Sequence, residues 1–233
     1  MCGFSGFISS KTPNSSSEDI LKSMADAIHH RGPDSSGYWA DDLGKVGLSH
    51  NRLAIVDLTQ SGCQPMVSDS KRYVLAFNGE IYNHLALRLE LESQNCAPSW
   101  RGRSDTETLL ACFDAWGLEQ TVQATLGMFA LALWDKEEQQ LTLTRDRLGE
   151  KPLYWGWCGQ TLLFGSELKA LKAHPGFNAE VDRDALALLL RYNAIPAPYS
   201  IYKGIKKLPA GHIVQIRQGN AAGEAIPQAY WAL

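Results

Sequence analysis

The chain has 233 residues, 45% of them hydrophobic, and a formal net charge of -3 at pH 7. This length and apolar content suffice for one large domain with a buried core. The near-balanced charge, without clustered Lys and Arg, excludes a basic nucleic-acid-binding surface. No apolar run has the length of a membrane span, and the N-terminus lacks the features of a signal peptide, so we predict a cytoplasmic protein that contacts no membrane.

The first half of the chain carries strand signals separated by one helix. Residues 2–8 alternate small and apolar side chains and predict a strand that begins at the terminus. Ser17 is the predicted N-cap of the helix that follows, which ends at the turn of residues 29–34. Further strands are predicted at residues 36–40, 45–50 and 73–78. The last of them runs into Asn78-Gly79, a dipeptide typical of a turn.

The second half combines paired strands with grouped helices. Helices are predicted at residues 83–93, 105–116, 167–172 and 183–191. Strands are predicted at residues 127–134, 140–145, 153–157, 161–165 and 212–217. This arrangement predicts an α+β fold with largely antiparallel sheets. Four prolines interrupt residues 196–233, which we interpret as a C-terminal extension after a domain of residues 1–195.

The five cysteines are an odd, scattered set without Cys-x-x-Cys spacing, which argues against a disulfide framework or a zinc site. We therefore predict no metal in this chain. Cys2 differs from the others because removal of Met1 would make it the N-terminal residue. It would then carry a thiol and an α-amine that can accept the thiol proton, so that nucleophile and base belong to one residue. The alternative is that Cys2 is an ordinary small residue at the start of a strand.

Several segments, taken in order, carry a resemblance to a known family. They are Met1–Gly6, His30–Asp34, Ser49–Asp57, Asn78–Asn83, Ser104–Glu107, Arg145–Gly149 and Lys207–His212. Together they resemble the glutaminase domain of the glutamine-hydrolysing asparagine synthetases, which are class II glutamine amidotransferases. The resemblance covers essentially the whole chain. It implies the N-terminal-nucleophile hydrolase fold, a four-layer αββα sandwich of two antiparallel sheets with helices on both outer faces.

The resemblance also implies an activity and its partners. The chain would hydrolyse L-glutamine to glutamate and ammonia through a γ-glutamyl thioester on Cys2. A synthetase domain or subunit would receive the ammonia, and a homodimer is possible. ATP and Mg²⁺ belong to that synthetase domain, whose Ser-Gly-Gly-x-Asp-Ser loop does not occur in this sequence. We therefore expect no cofactor in this chain and no nucleic-acid partner.

The resemblance assigns site residues, and each assignment has a simpler alternative. Asn78 and Gly79 would donate to the oxyanion, although Asn-Gly could merely form a hairpin turn. Arg52 suits the α-carboxylate of glutamine because a guanidinium binds a carboxylate through two hydrogen bonds, and Asp105 suits the α-ammonium. Arg52 could instead form a surface ion pair, and Asp105 could cap a helix. The other glutamine-binding residues implied are Leu53, Ile55, Val56 and Glu80.

Charged residues at the turns receive a structural interpretation. We expect a network of ion pairs that holds loops in place, formed by Arg31, Asp34, Arg145, Asp146 and Arg147. His30 and His50 are interpreted as structural hydrogen-bonding groups, and residues 100–104 as a mobile cover over the pocket.

Two other functions compete with the glutaminase. One is a catalytically silent glutamine-binding domain that regulates a split synthetase; an intact nucleophile and oxyanion pair argues against it. The other is an acylase with an N-terminal nucleophile, acting on penicillins or bile acids. The pair Arg52 and Asp105, which suits a free amino acid, argues against that activity.

Overall fold

Two six-stranded antiparallel sheets form the centre of the protein. The computed structural model describes residues 1–12, 15–55, 57–220 and 224–232. The strands are β1 (Gly3–Ser9), β2 (Ser35–Ala40), β3 (Val46–Arg52), β4 (Met66–Val67), β5 (Tyr73–Ile81), β6 (Gly127–Asp135), β7 (Gln140–Arg145), β8 (Tyr154–Cys158), β9 (Thr161–Gly165), β10 (Ile205–Lys207), β11 (His212–Arg217) and β12 (Gln228–Ala229). The helices are α1 (Ser17–Asp26), α2 (His84–Ser93), α3 (Asp105–Ala124), α4 (Leu168–Lys172) and α5 (Arg183–Tyr192).

The N-terminal strand lies inside the first sheet, whose order is β10-β8-β9-β1-β3-β2. Its side chains alternate between two cores because successive residues of a strand point to opposite faces. Phe4 and Ile8 enter the core between the two sheets, where they meet residues of the second sheet such as Trp134. Phe7 enters a different core, against Leu21 of α1. The first sheet is therefore covered on both faces.

The second sheet has the order β12-β11-β7-β6-β5-β4 and is also covered on both faces. Its outer face packs against α2 and α3, where Phe77 and Leu131 meet Leu91 and Phe113. The layers therefore run helix, sheet, sheet, helix, which confirms the predicted αββα sandwich. Among the described residues, no helix is long and apolar enough to cross a membrane.

The predicted turn at Asn78-Gly79 is wrong. Strand β5 continues through both residues to Ile81 and pairs with β6, so that Asn78 faces Ala130 and Gly79 faces Phe129. A Cβ atom at Gly79 would lie only 2.3 Å from the carbonyl oxygen of Met128. Glycine is therefore needed here because a neighbouring backbone approaches closely, and no chain reversal occurs.

The residues after position 195, which we interpret as a C-terminal extension, contribute strands to both sheets. Strand β10 pairs with β8 in the first sheet, and β11 pairs with β7 in the second. Leu208 and Val214 lie in the core between the sheets. Strands β4, β10 and β12, which were not predicted, have only two or three residues each and are too short for a periodic signal.

Two helix boundaries also differ in detail. The N-cap of α1 is Ser16, whereas Ser17 is the first helical residue and its hydroxyl donates to the carbonyl oxygen of Gly44. Helix α3 extends beyond the predicted end at residue 116, but Gly117 interrupts it with φ of 74°. Only glycine adopts this region of φ readily. The regular helix therefore ends at residue 116, as predicted.

Candidate active site

A cleft opens beside the start of β1, the end of β3 and the interior of β5. The predicted site residues that line it are Cys2, Arg52, Leu53, Ile55, Asn78, Gly79, Glu80 and Asp105. Val56 lies outside the described residues. Residues more than a hundred positions apart in the chain are thus brought to one cavity. The lining also includes residues for which no binding role is predicted from the sequence, among them Met1, Asp57, Gln64 and Lys151.

Cys2 is held at the floor of this cleft by main-chain contacts. Its Sγ accepts the N–H of Leu53 at 3.3 Å and donates to the carbonyl oxygen of the same residue at 3.5 Å. The Cys2 carbonyl oxygen accepts from Nε of Arg31 at 3.0 Å. A carboxylate oxygen of Glu167 lies 2.8 Å from Nη1 of that arginine. The thiol is therefore held in a defined position, while Met1, still attached, makes the Cys2 nitrogen an amide.

The Glu167 carboxylate is the centre of a small ionic cluster behind Cys2. It pairs with Arg31, with His30 at 3.0 Å and with Lys169 at 3.2 Å. Burial alone would raise the pKa of Glu167, but the hydrogen bonds from Arg31, His30 and Lys169 outweigh it and lower the pKa to about 2. The carboxylate is therefore ionised at any ordinary pH, and it orients the arginine that holds Cys2.

Asn78 supplies a hydrogen-bond donor that the protein itself does not use. The residue is 1% exposed, and its Nδ2 has no partner among the described residues. A buried amide donor without a partner costs free energy, which is offset when a ligand accepts the hydrogen bond. Together with the strand geometry at Gly79, this observation overturns the alternative in which Asn-Gly is merely a turn.

Arg52 lies at the end of β3 and is only 9% exposed. Its Nη1 donates to the carbonyl oxygen of Thr59 at 2.8 Å, and its Nη2 donates to that of Asp57. It forms no ion pair with any carboxylate in the described part of the chain, so the alternative of a surface ion pair is wrong. Gly62 permits this arrangement, because a Cβ atom there would lie 2.3 Å from Nη2. The loop after β3 thus wraps around a guanidinium that faces the cleft.

Asp105 is the first residue of α3 but not its cap. The cap is Ser104, whose hydroxyl accepts the N–H of Glu107 at 3.2 Å, so the capping alternative for Asp105 is wrong. The Asp105 carboxylate accepts the N–H of Ile81 at 2.9 Å and that of Thr106 at 2.9 Å. Burial raises the pKa of Asp105 above its ordinary value, and these hydrogen bonds oppose that rise. The helix start thus places a buried carboxylate in the cleft.

The segment of residues 100–104 is fastened to the loop after β3. Asp57 accepts the N–H of Arg103 at 3.0 Å, and hydrogen bonds from the hydroxyl and N–H of Thr59 lower the pKa of the Asp57 carboxyl. The Arg88 guanidinium lies 4.1 Å from the ring centre of Trp100. The Asp57 contact joins the segment predicted as a cover to the loop that surrounds Arg52, and the Arg88 contact joins it to α2.

The predicted network of turn ion pairs is only partly present. Arg145 donates to the carbonyl oxygens of Lys151, Gly149 and Leu208, and Asp146 accepts main-chain N–H groups, including that of Lys151 at 3.0 Å. These side chains therefore hold the loop of residues 146–151 through its main chain. The reason is that buried N–H and carbonyl groups of a tight loop need partners.

The other turn residues act in a similar way. Asp34 accepts the N–H of Ala54 at 2.8 Å, and Arg147 donates to the carbonyl oxygen of Gln123 at 2.9 Å. His50 is buried with Nε2 3.0 Å from the carbonyl oxygen of Phe77, and burial lowers its pKa to about 4. It is therefore neutral at pH 7, in agreement with its interpretation as a structural residue.

A cysteine at the start of a central strand, facing a cleft in an αββα sandwich, defines the class of N-terminal-nucleophile hydrolase folds. The structure of glutamine phosphoribosylpyrophosphate amidotransferase from Bacillus subtilis is similar in fold, with a TM-score of 0.70 and 17% identity, over 99% of this chain and 49% of that one. Residues 1–231 match the sequence model of the family described as "Glutamine amidotransferase domain", and the chain belongs to this family.

Two curated relatives show which proteins this domain resembles in sequence. "Asparagine synthetase [glutamine-hydrolyzing] 3" of Bacillus subtilis is 38% identical over 215 residues, which are 91% of this chain and 34% of the relative. "Asparagine synthetase [glutamine-hydrolyzing] 1" of the same organism is 36% identical over 220 residues, which are 93% of this chain and 34% of the relative. The chain spans about a third of the length of these relatives.

Proposed function

We propose that this chain hydrolyses L-glutamine to glutamate and ammonia, as the ammonia-supplying half of an asparagine-synthetase-type amidotransferase. One observation carries the proposal: a single cleft joins the Cys2 thiol, the unpartnered Nδ2 of Asn78, the Arg52 guanidinium and the Asp105 carboxylate. These are a nucleophile, an oxyanion donor and one group for each charge of a free amino acid.

In the first half-reaction, removal of Met1 exposes the α-amine of Cys2. The amine accepts the thiol proton, and Sγ forms a bond to the side-chain carbonyl carbon of glutamine. Nδ2 of Asn78 and the N–H of Gly79 donate to the oxyanion that forms. When this intermediate collapses, the C–N bond breaks, the α-ammonium returns its proton to the leaving nitrogen, and ammonia departs from a γ-glutamyl thioester.

In the second half-reaction, water replaces the thiol as nucleophile. The α-amine accepts a proton from the water as its oxygen attacks the thioester carbonyl carbon, and the same donors receive the second oxyanion. Collapse breaks the S–C bond, and the sulfur takes the proton back from the α-ammonium. Glutamate leaves and Cys2 returns to its starting state.

The remaining residues of the cleft select the substrate. Arg52 binds the α-carboxylate and Asp105 the α-ammonium, because a buried charge is stabilised by an opposite charge with good hydrogen-bond geometry. The proposed pocket is completed by Leu53, Ile55 and Glu80, and Val56, which lies outside the described residues, stays a prediction. The chain itself uses no cofactor or metal in this scheme, and the ammonia passes to an ATP-dependent synthetase domain or subunit.

The proposal is tested by the mass of the purified protein before and after exposure to a diazo-ketone analogue of glutamine. We expect loss of the Met1 mass, and then one covalent adduct on the peptide that begins with Cys2. A matched incubation with excess glutamine should slow the labelling because both compounds use the same site. Absence of an adduct on a chain with a free Cys2 amine contradicts the proposal.

The carboxylate of Asp105 should control the affinity for glutamine and its pH dependence. For Asp105→Asn we expect KM to rise roughly 10- to 100-fold, because a charge-assisted hydrogen bond to the α-ammonium is lost. In the unaltered protein, protonation of Asp105 removes the same charge. Since burial raises its pKa, KM should rise as the pH falls through that raised pKa. Steady-state kinetics between pH 4 and 8 give both results.

The control for this prediction is Asp26→Asn, which removes an exposed carboxylate from α1. Its KM should equal that of the unaltered protein at every pH. If the KM of Asp105→Asn is also unchanged, Asp105 does not bind the α-ammonium.

A further inference from the structure

Lys151 is a nearly buried cation in the cleft that the proposed reaction does not use. It is 5% exposed and lines the cleft together with Cys2 and Gly79. Its Nζ lies 3.1 Å from the sulfur of Met1, and it forms no ion pair with any carboxylate in the described part of the chain. Buried ammonium groups are normally paired with an anion, because desolvation of a lone charge is costly. The free-energy cost of burying the Lys151 ammonium without an anion indicates that this residue has a role inside the cleft.

Hydrogen bonds of the main chain hold Lys151 in place. The backbone N–H of Lys151 donates to the Asp146 carboxylate at 3.0 Å, and the backbone carbonyl oxygen of Lys151 accepts from Nε of Arg145 at 2.7 Å. Asp146 also binds the N–H groups of Leu148 and Glu150, at 3.1 and 2.9 Å. The loop is therefore a built support that directs one long side chain towards the N-terminus.

Other charged groups surround the N-terminal residue, but most of them already have partners. They are His30, Arg31, Asp34, Arg52, Asp57, Glu80, Asp105, Asp146, Glu150 and Glu167. Arg31 is paired with Glu167. Asp34, Asp57, Asp105 and Asp146 all accept main-chain N–H groups, and Glu80 is exposed. None of these carboxylates forms an ion pair with Lys151 in the described part of the chain, so its ammonium is an unpaired positive charge beside the site of the α-amine.

We propose that Lys151 is a positioning residue whose ammonium keeps the α-amine of Cys2 unprotonated, so that the amine can act as a base. The inference rests on the proposed glutaminase function. The Met1 sulfur is joined to the Cys2 nitrogen through Met1 itself, so Nζ lies within about 10 Å of that nitrogen. In a partly desolvated cleft, a fixed positive charge at this distance opposes a second positive charge. The same positive charge opposes protonation of the departing ammonia to ammonium.

The test is the pH dependence of kcat/KM for glutamine in Lys151→Met and Lys151→Gln, which remove the charge but keep an unbranched side chain. We expect the acidic limb of the profile to shift to higher pH by about one unit. At high pH, activity should approach that of the unaltered protein. Lys151→Arg retains the charge, and its limb should stay in place. Lys206→Met, which removes an exposed lysine from β10, is the matched control.

A second readout separates this inference from the glutaminase proposal. In a Cys2→Ser background, competitive acylation of the N-terminal amine, followed by peptide mass spectrometry, gives the pH at which that amine titrates, without any turnover. This pH should rise by about one unit when Lys151→Met is added. A shift in labelling without any glutaminase activity in the unaltered protein would refute only the glutaminase.

Two results would overturn the role of Lys151. One is an unmoved acidic limb in both neutral variants. The other is an equal loss of activity at every pH, since a structural defect lowers the whole profile without displacing it. If Lys151→Met does not fold, both the pH profile and the labelling measurement are made with Lys151→Gln.

Discussion

Replacement of Cys2 with alanine is expected to lower ammonia release from glutamine by at least about 10³-fold. The thiol is the group that forms the thioester. Without the thiol, the other groups of the cleft orient glutamine but cannot form a covalent intermediate. Sγ lies 3.3 Å from the N–H of Leu53, a contact that the remaining fold does not require, so the variant should keep its thermal stability. A coupled assay for glutamate and a melting curve measure the two quantities.

The matched control is Cys96→Ala, which removes an exposed thiol outside the cleft and should leave the rate unchanged. Glutamine should still bind to Cys2→Ala, because Arg52 and Asp105 are intact, and calorimetry measures this binding. Full activity of Cys2→Ala would refute the thioester mechanism. If the unaltered chain with a free Cys2 amine binds glutamine but releases no ammonia, the silent regulatory domain is the correct function.

Replacement of Asn78 with alanine is expected to lower kcat by about 10²- to 10³-fold, the usual cost of one oxyanion donor. Because the donor acts on the transition state, KM should change little. The free energy of unfolding should not fall by the amount of a lost hydrogen bond, since Nδ2 has no partner to lose among the described residues. Steady-state kinetics and urea unfolding distinguish this result from simple destabilisation.

Thr144→Val is the matched control for Asn78→Ala. Thr144 belongs to β7 of the same sheet, is fully buried and also carries an unpartnered polar atom, Oγ1, but it does not line the cleft. Its replacement should leave kcat unchanged. If Asn78→Ala raises KM while kcat stays constant, Asn78 binds the substrate in its ground state and is not an oxyanion donor.

Much of the layered fold follows from local patterns in the sequence. The two-residue alternation of β1 predicts a strand, and Phe4 and Phe7 do enter opposite cores. The predicted end of the helix at residue 116 coincides with the break at Gly117, whose positive φ favours glycine. These features depend on a few neighbouring residues, and their physical cause acts over the same short range.

The chemical types at the site are also readable from the chain. A cysteine that can become N-terminal, an arginine and an aspartate suit a nucleophile and the two charges of a free amino acid. The ordered motifs link them to one family, and the match over residues 1–231 confirms that family. No local pattern, however, indicates that Cys2, Arg52 and Asp105 share a cleft.

Only the tertiary structure decided how Asn78 and Gly79 are used. By themselves they predict a turn, because the dipeptide adopts one at little cost. Pairing with β6, about fifty residues further along, makes them strand residues and leaves the Asn78 amide facing the cleft. The role proposed for Lys151 is equally invisible in the sequence, since its ammonium meets Met1 across 150 positions. Sequence alone therefore determined the strand and helix patterns and the reactive groups, whereas long-range strand pairing and burial determined which donors and charges face the cleft.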